Sequence, residues 1–143
     1  MTITTDDLEL IQEAKNIIKR LYCEGKHHIG AAVRTQSGKI YTAVHLEAYI
    51  GRVSVCAEAI AIGKAISEGE HEFATIVAVR HPEINPDDPT ENADPQLGVV
   101  SPCGICRELI SDYGQSTQVI LQGEEGYIKT TIGQLLPQKY SRS

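Results

Sequence analysis

Two short cysteine motifs, far apart in the chain, constrain the fold more than any other feature of this sequence. The first, residues 56–58, reads Cys-Ala-Glu, and the second, residues 102–106, reads Pro-Cys-Gly-Ile-Cys. Three thiolates can occupy three corners of a zinc tetrahedron and leave the fourth corner open for water. A carboxylate close behind one of them can move that water's protons. The sequence therefore predicts a catalytic zinc site whose two halves come together only when the chain folds.

The thiolates of Cys56, Cys103 and Cys106 are the predicted ligands of one Zn²⁺ ion. Cys56 and Cys103 fall at predicted helix starts, where free N–H groups and the helix dipole favour thiolate over thiol. Cys106 follows Cys103 on the same helical face. Two alternatives stay open here: a closed structural site with Cys23 or a histidine as fourth ligand, and a redox pair. A redox pair leaves Cys56 and Glu58 unexplained.

Glu58 is the predicted catalytic residue, and it lies within the apolar run of residues 57–62, Ala-Glu-Ala-Ile-Ala-Ile. The alternative is an ordinary helix carboxylate facing solvent. Burying a carboxylate without a partner costs several kcal/mol. That cost is easiest to understand if Glu58 faces a metal site and acts as general acid and base, so we predict this role.

Length and composition are those of an ordinary globular protein. The chain has 143 residues, of which 41% are hydrophobic and 22% are charged, and we expect residues 1–143 to form a single domain. No apolar run approaches the roughly 20 residues that span a bilayer, so we expect no membrane partner. The first residues do not resemble a signal peptide, so we expect a cytoplasmic protein with reduced cysteines.

The charge balance argues against a polynucleotide ligand. The formal net charge is −6, and the chain has no Trp and one Phe. Nucleic acid binding needs basic surface for the phosphates and, for single strands, aromatic platforms. We therefore expect a small-molecule substrate and no nucleic acid partner.

Hydrophobic periodicity predicts alternating helices and strands. The first helix is amphipathic and begins after a cap at Thr4 or Thr5. Helices are predicted over residues 5–21, 55–67, 103–113 and 131–136. Strands are predicted over residues 29–35, 39–46, 75–79, 99–100, 118–121 and 127–129, with a hairpin turn at residues 37–38. This order favours helices packed on both faces of one mixed sheet.

The two motifs resemble those of the cytidine deaminase superfamily, whose small tetrameric branch uses Cys-Ala-Glu with Pro-Cys-Gly-x-Cys. The likeness extends from residue 29 to residue 137. Residues 45–63, 79–82 and 106–113 are similar to the bacterial blasticidin S deaminase type. The resemblance implies a three-layer α/β/α sandwich around a five-stranded mixed sheet. It also implies Zn²⁺, hydrolytic deamination and a homotetramer with sites near the subunit interfaces.

The resemblance also implies roles for residues that contact the base and the sugar. The Ala57 backbone is expected to hold the base, and the Ser101 carbonyl is expected to accept a hydrogen bond from the leaving amine. His27 stands where an aromatic residue commonly packs on the base. His45 and Glu47 stand where relatives carry Asn-x-Glu against a sugar hydroxyl. The alternatives are an edge histidine, an exposed loop acid and, for Ser101, a turn residue.

One departure from the family pattern concerns charge. Tetrameric cytidine deaminases tend to carry Arg directly after the catalytic Glu, and this chain has Ala59. Three thiolates give Zn²⁺ a formal charge of −1, which weakens it as a Lewis acid unless nearby donors compensate. Arg52 or Arg107 are the candidates for this role, and surface salt bridges are their alternative.

The leading functional prediction is deamination of a cytosine nucleoside or a nucleoside antibiotic of the blasticidin S type, hence antibiotic resistance. Blasticidin S carries a carboxylate on its sugar and a basic tail. Arg80, just after an apolar strand, is the candidate partner of that carboxylate. The proline-containing loop of residues 82–98 is predicted to be exposed, and its acids could attract the tail or simply be solvated. These acids are Glu83, Asp87, Asp88, Glu91 and Asp94.

Two other functions stay open. The first is deamination of cytidine, deoxycytidine or a modified cytosine, with a purine or guanidine-like substrate less favoured. The second is a zinc-stabilised binding domain without catalysis, against which the intact Glu58 argues.

Overall fold

A computed structural model describes residues 1–84, 87 and 95–142. Within these residues, six strands form one mixed sheet in the order β2-β1-β3-β5-β6, and β4 also pairs with β3. The strands are β1 (Ile29–Thr35), β2 (Ile40–Val44), β3 (Phe73–Arg80), β4 (Gly98–Val100), β5 (Gln118–Gly123) and β6 (Gly126–Thr131). Among the pairings of these described strands, that of β3 with β5 is parallel and the others are antiparallel.

The strand count corrects the five strands implied by the family resemblance. Strands β4 and β5 share one edge of β3. Strand β4 pairs with the end of β3 at Ala78, Val79 and Arg80, whereas β5 pairs at Thr75 and Ile76. The sheet is therefore five positions wide but contains six strands, as the six strand-like runs of the sequence indicate.

Helices cover both faces of the sheet, which confirms the three-layer α/β/α sandwich. Helix α1 (Thr5–Leu21) lies on one face, and α2 (Ala57–Ser67) and α3 (Gly104–Asp112) lie on the other. Alternate side chains of β3 follow this division: Val77 packs in the core under α1, and Ile76 packs in the core under α2 and α3. At Gly30 a Cβ atom would lie 2.6 Å from the Ala14 carbonyl oxygen, so glycine permits the close contact between β1 and α1.

The predicted elements are present with shifted ends. Cys56 and Cys103 are N-cap residues with extended backbone, so α2 and α3 begin one residue after them. The predicted last helix is a single 3-10 turn, Ile132–Leu135. The hairpin turn is confirmed, with Gly38 at a φ of 95°.

The loop of residues 82–98 is described only in part. Pro82, Glu83, Ile84 and Asp87 are exposed, as predicted. The other predicted loop acids, Asp88, Glu91 and Asp94, lie outside the described residues. No helix in the described part of the chain is long and apolar enough to cross a bilayer.

Candidate active site

The starts of α2 and α3 bring the three predicted zinc ligands together. Cys56 and Cys103 are the N-caps of these helices, and Cys106 is buried in the first turn of α3. The three sulfur atoms all lie within 4.8 Å of one another, and the Sγ atoms of Cys56 and Cys103 are 3.9 Å apart. Tetrahedral zinc–thiolate bonds of about 2.3 Å place two sulfurs about 3.8 Å apart. The donor set and its spacing therefore fit Zn²⁺.

The thiol cluster leaves one corner of a tetrahedron free. Across residues 1–84, 87 and 95–142, no fourth His, Cys, Asp or Glu joins the three cysteines. Cys23 is exposed, and its backbone pairs with that of His27 in a separate turn. The described residues thus offer no ligand for the closed four-ligand alternative, and the arrangement is that of an open, catalytic site.

The protonation of the thiols depends on burial and on neighbouring charges. Burial raises the pKa of both Cys56 and Cys106, and the nearby Glu58 carboxylate adds to the effect. Burial also acts on Cys103, but hydrogen bonds outweigh it and lower the pKa of Cys103. They come from the Cys106 backbone N–H, from the Cys56 and Cys106 thiols and from the Ile105 backbone N–H. These N–H groups belong to the free helix start, as expected for a thiolate at an N-terminus.

Glu58 lies in the first turn of α2 and is 6% exposed, so the alternative of a solvated helix carboxylate is wrong. Burial raises its pKa, and hydrogen bonds from its own backbone N–H and from the Cys106 thiol oppose that change. The side chain lines a cavity together with Cys56 and Cys103. A buried carboxylate beside a metal site can both accept and return protons.

This cavity has a volume of about 310 Å³ and brings together five of the six predicted substrate-binding residues. Those five are His45, Glu47, Ala57, Arg80 and Ser101. Its other lining residues are Ile29, Ser54, Val55, Cys56, Glu58, Val100 and Cys103. The sequence motifs predict no site role for Ile29, Ser54, Val55 or Val100. Val55 directly precedes Cys56, and Ile29 and Val100 lie at ends of predicted strands, so their positions in the sequence carried a signal.

His45 is held by backbone groups of the neighbouring strand. Its Nδ1 accepts from the backbone N–H groups of His28 and Ile29, at 2.8 Å and 3.1 Å. The proton must therefore be on Nε2, which donates to Glu47 Oε2 at 3.2 Å. Burial lowers the pKa of His45, although the Glu47 carboxylate opposes this. His45 is thus a neutral hydrogen-bond donor at the cavity wall.

His27 is not among the residues that line the cavity. Its Nδ1 donates to the backbone carbonyl of His45 at 2.8 Å, and this hydrogen bond helps to hold His45 in place. The predicted stacking of His27 on a base stays a prediction.

Arg52 and Arg107 are the two candidates to replace the positive charge that relatives carry at the position of Ala59. They occupy different places. Arg52 is exposed on the 3-10 turn Gly51–Val53 and does not line the cavity. Arg107 follows Cys106 in α3, and its guanidinium binds the segment that carries Cys103.

The folded arrangement agrees with a family match. The family model for the cytidine and deoxycytidylate deaminase zinc-binding region matches residues 4–122. The chain belongs to this family and is a zinc-dependent aminohydrolase, which confirms the enzyme class and the cofactor predicted from the motifs.

Two relatives and one solved structure are similar to this chain over most of its length. The chain is 53% identical over 141 residues to the blasticidin-S deaminase of Bacillus cereus, covering 99% of this chain and 96% of that protein. It is 32% identical over 137 residues to a cytidine deaminase of Sporosarcina psychrophila, covering 94% and 90%. The crystal structure of cytidine deaminase from Burkholderia pseudomallei superposes with a TM-score of 0.73 at 26% identity, covering 98% of this chain and 100% of that one.

Proposed function

We propose that this protein deaminates a cytosine nucleoside antibiotic of the blasticidin S type. The observation that carries the proposal is the 53% identity, over nearly the whole chain, to a blasticidin-S deaminase. In this reaction the 4-amino group of the cytosine is replaced by a carbonyl oxygen and ammonia is released. Cys56, Cys103 and Cys106 are the proposed zinc ligands, and Glu58 is the proposed proton carrier.

The residues around the thiol cluster have separate tasks. Zinc, when bound, supplies a Lewis acid that lowers the pKa of water to about 7. Glu58 accepts a proton as water oxygen bonds to the carbon that bears the amino group. The carboxyl group gives that proton to the ring nitrogen. It then takes the second proton from the oxygen now bonded to the carbon and gives it to the departing amine, as the carbonyl forms and the carbon–nitrogen bond breaks. The Ala57 backbone and the Ser101 carbonyl hold the base and the amine.

Two charged side chains of the cavity lining favour a substrate with charged groups. Arg80 ends β3 with an exposed side chain that lines the cavity, where it can pair with a carboxylate. Glu47 lines the same cavity and can accept from a hydroxyl or ammonium group. Blasticidin S carries both a carboxylate and basic nitrogen, whereas cytidine has only hydroxyl groups on its sugar. Arg80 therefore supports the antibiotic over cytidine, whereas Glu47 can bind either substrate.

An ammonia-release assay tests the proposal directly. We would measure kcat/KM on blasticidin S, cytidine, deoxycytidine, cytosine and guanine with the zinc-loaded protein. The proposal expects the highest value on blasticidin S. A tenfold or greater preference for cytidine, about 1.4 kcal/mol of transition-state free energy in the wrong direction, would favour the second candidate. That candidate is a cytidine deaminase of nucleoside salvage, favoured by the likeness to the Sporosarcina psychrophila enzyme.

Arg80 allows a sharper test of substrate choice. We expect Arg80→Gln to lower kcat/KM on blasticidin S about tenfold and to change cytidine turnover much less, because only blasticidin S offers a carboxylate. Arg20→Gln is the matched control, since Arg20 is also exposed but does not line the cavity. Equal losses on both substrates would contradict the assigned role of Arg80.

The proposed assembly is a homotetramer. Exposed apolar side chains support it, and Val55 among them also lines the cavity. The others are Leu46, Tyr49, Ile50, Val53 and Ile105. Light scattering should give a mass of four chains, and a stable, fully active monomer would refute the assembly. A cytoplasmic location and a role in antibiotic resistance are part of the same proposal. Expression of the protein should protect cells from blasticidin S, whereas a Glu58→Gln variant should not.

A further inference from the structure

Arg107 joins the loop of the proposed zinc site to the C-terminal part of the chain. It lies in the first turn of α3, directly after Cys106, and its side chain is partly buried. Its backbone N–H donates to the Cys103 carbonyl at 2.9 Å as part of the helix start. The side chain therefore leaves the helix at the point where two of the proposed ligands are fixed.

The guanidinium of Arg107 makes three hydrogen bonds to two separate segments. Nε donates to the Pro102 carbonyl oxygen at 2.9 Å, and Nη2 donates to Ser101 Oγ at 2.8 Å. Nη1 donates to the Leu135 carbonyl oxygen at 3.1 Å, at the end of the 3-10 turn Ile132–Leu135. The planar, rigid fork of a guanidinium can satisfy several acceptors at once, whereas an ammonium is a single point of charge.

The segment held by this fork carries two parts of the site. Ser101 and Cys103 both line the cavity, and Pro102 lies buried between them. Cys103 is exposed and is the N-cap, so it lies before the first helical residue and its place depends on the segment that leads into α3. Within the described residues Arg107 makes no ion pair, so its charge is not neutralised by a carboxylate. The three described hydrogen bonds of its side chain tie residues 101 and 102 to Leu135.

We propose that Arg107 is a positioning residue that sets the place of the Cys103 thiolate and of the Ser101 carbonyl. The inference rests on the proposed zinc ligands. Without the fork, the segment from Ser101 to Cys103 loses its tie to residue 135, and the sulfur and the carbonyl shift relative to Cys56 and Cys106. Groups that orient metal ligands typically change metal affinity or activity about 10- to 100-fold when they are removed.

The test is the Arg107→Gln variant, prepared with zinc and with cobalt. We expect zinc affinity, measured by chelator competition, to fall at least tenfold. The thiolate-to-cobalt absorption bands should shift, and kcat per bound zinc should fall more than KM rises. Arg107→Lys keeps the charge but not the fork, so it should stay impaired. Wild-type affinity, bands and kcat in Arg107→Gln would overturn the inference, and so would full recovery in Arg107→Lys.

The matched control is Arg34→Gln. Arg34 also donates to backbone carbonyls, those of Asp6 and Gly38, but it lies outside the cavity lining. The control should keep the cobalt spectrum and kcat. A loss of thermal stability in Arg107→Gln without any change in the metal readouts would show a merely structural role and overturn the proposal.

Ser101→Ala decides the case if Arg107→Gln does not fold. It removes one of the three acceptors and keeps the Ser101 carbonyl. A smaller shift of the cobalt bands in the same direction supports the proposal, and unchanged bands overturn it. Absence of zinc from the wild-type protein would refute the ligand assignment and this inference together. Normal zinc in the wild type with unaffected Arg107 variants would refute the inference alone.

Discussion

Two buried carboxylates, each in the first turn of a helix, lie on opposite faces of the sheet and have opposite surroundings. Asp7 of α1 is 4% exposed, and Glu58 of α2 is 6% exposed. Asp7 Oδ2 is 2.7 Å from Lys129 Nζ, and Asp7 also forms a capping box with Thr4. No described ion pair includes Glu58, and its hydrogen bonds come from its own backbone and from Cys106.

The pKa directions express this difference. Burial raises the pKa of both groups, but the hydrogen bonds from Lys129 and Thr4 outweigh it at Asp7, whose pKa is lowered. At Glu58 burial prevails and the pKa is raised. A carboxylate held charged by a partner stabilises the fold, while one that exchanges protons readily can serve chemistry. Asp7 is therefore suited to stabilise the fold, and Glu58 is suited to the proposed role of proton carrier.

The largest expected effect comes from removing the proton carrier. We expect Glu58→Gln to lower kcat about 100- to 10,000-fold, because general acid–base groups contribute this much and Glu58 serves several proton transfers. Zinc content and the free energy of unfolding should stay near those of the wild type. Steady-state ammonia release, metal analysis and denaturant unfolding measure the three quantities.

Near-normal turnover in Glu58→Gln would show that another group carries the protons. Glu58 would then have no catalytic role, and its raised pKa could not be linked to function as the lowered pKa of Asp7 is linked to stability. Asp7→Asn serves as the reciprocal control, since it replaces a buried helix-start carboxylate by the same isosteric change.

Asp7→Asn should weaken the fold and leave the reaction unchanged. Removing one partner of a buried ion pair leaves the other charge uncompensated, which costs about 3 kcal/mol or more. Urea unfolding at pH 7 should show this loss, and kcat should stay at the wild-type value below the unfolding transition. Asp6→Asn is the matched control, because Asp6 is exposed in the same helical turn and should change stability by less than about 1 kcal/mol.

The pH dependence sharpens the same test. Asp7 has a pKa below its ordinary value of 3.8 in the folded protein. Its stabilisation is therefore fully present above pH 3.8 and is lost as the pH falls through the lower, folded-state value. The difference in unfolding free energy between the wild type and Asp7→Asn should be constant near neutral pH and should shrink below pH 3.8. A difference that grows on acidification would contradict the assigned ion pair.

The sequence predicted the chemistry better than the contacts that shape it. Cys56, Glu58 and Cys103 could be placed because motif spacing and helix starts are local properties. The pairing of Asp7 with Lys129 could not, because the two residues are 122 positions apart and meet only through the folded sheet. The single-domain boundary at residues 1–143 and the individual roles of the substrate-binding residues stay predictions.

His45 shows why the substrate wall was harder to predict. Its hydrogen bonds depend on the register of β1 against β2, which places Gly30 opposite Val44 and so brings the start of β1 beside the end of β2. Histidine in a sequence offers two ring nitrogens and no information on which one is protonated. Only the two backbone N–H groups on Nδ1 identify the donor at Nε2.

The smallest expected effect is a change of substrate preference in His45→Asn. The shorter side chain cannot both accept from the β1 backbone and reach Glu47, so the Glu47 carboxylate loses the hydrogen bond from Nε2. The freed carboxylate and the new amide can then accept from and donate to a ribose hydroxyl. We expect the ratio of kcat/KM on blasticidin S to that on cytidine to fall about three- to tenfold. His71→Asn is the control, because His71 is exposed and does not line the cavity. An unchanged ratio, or one that moves further toward blasticidin S, would show that His45 orders the strand ends without selecting the substrate.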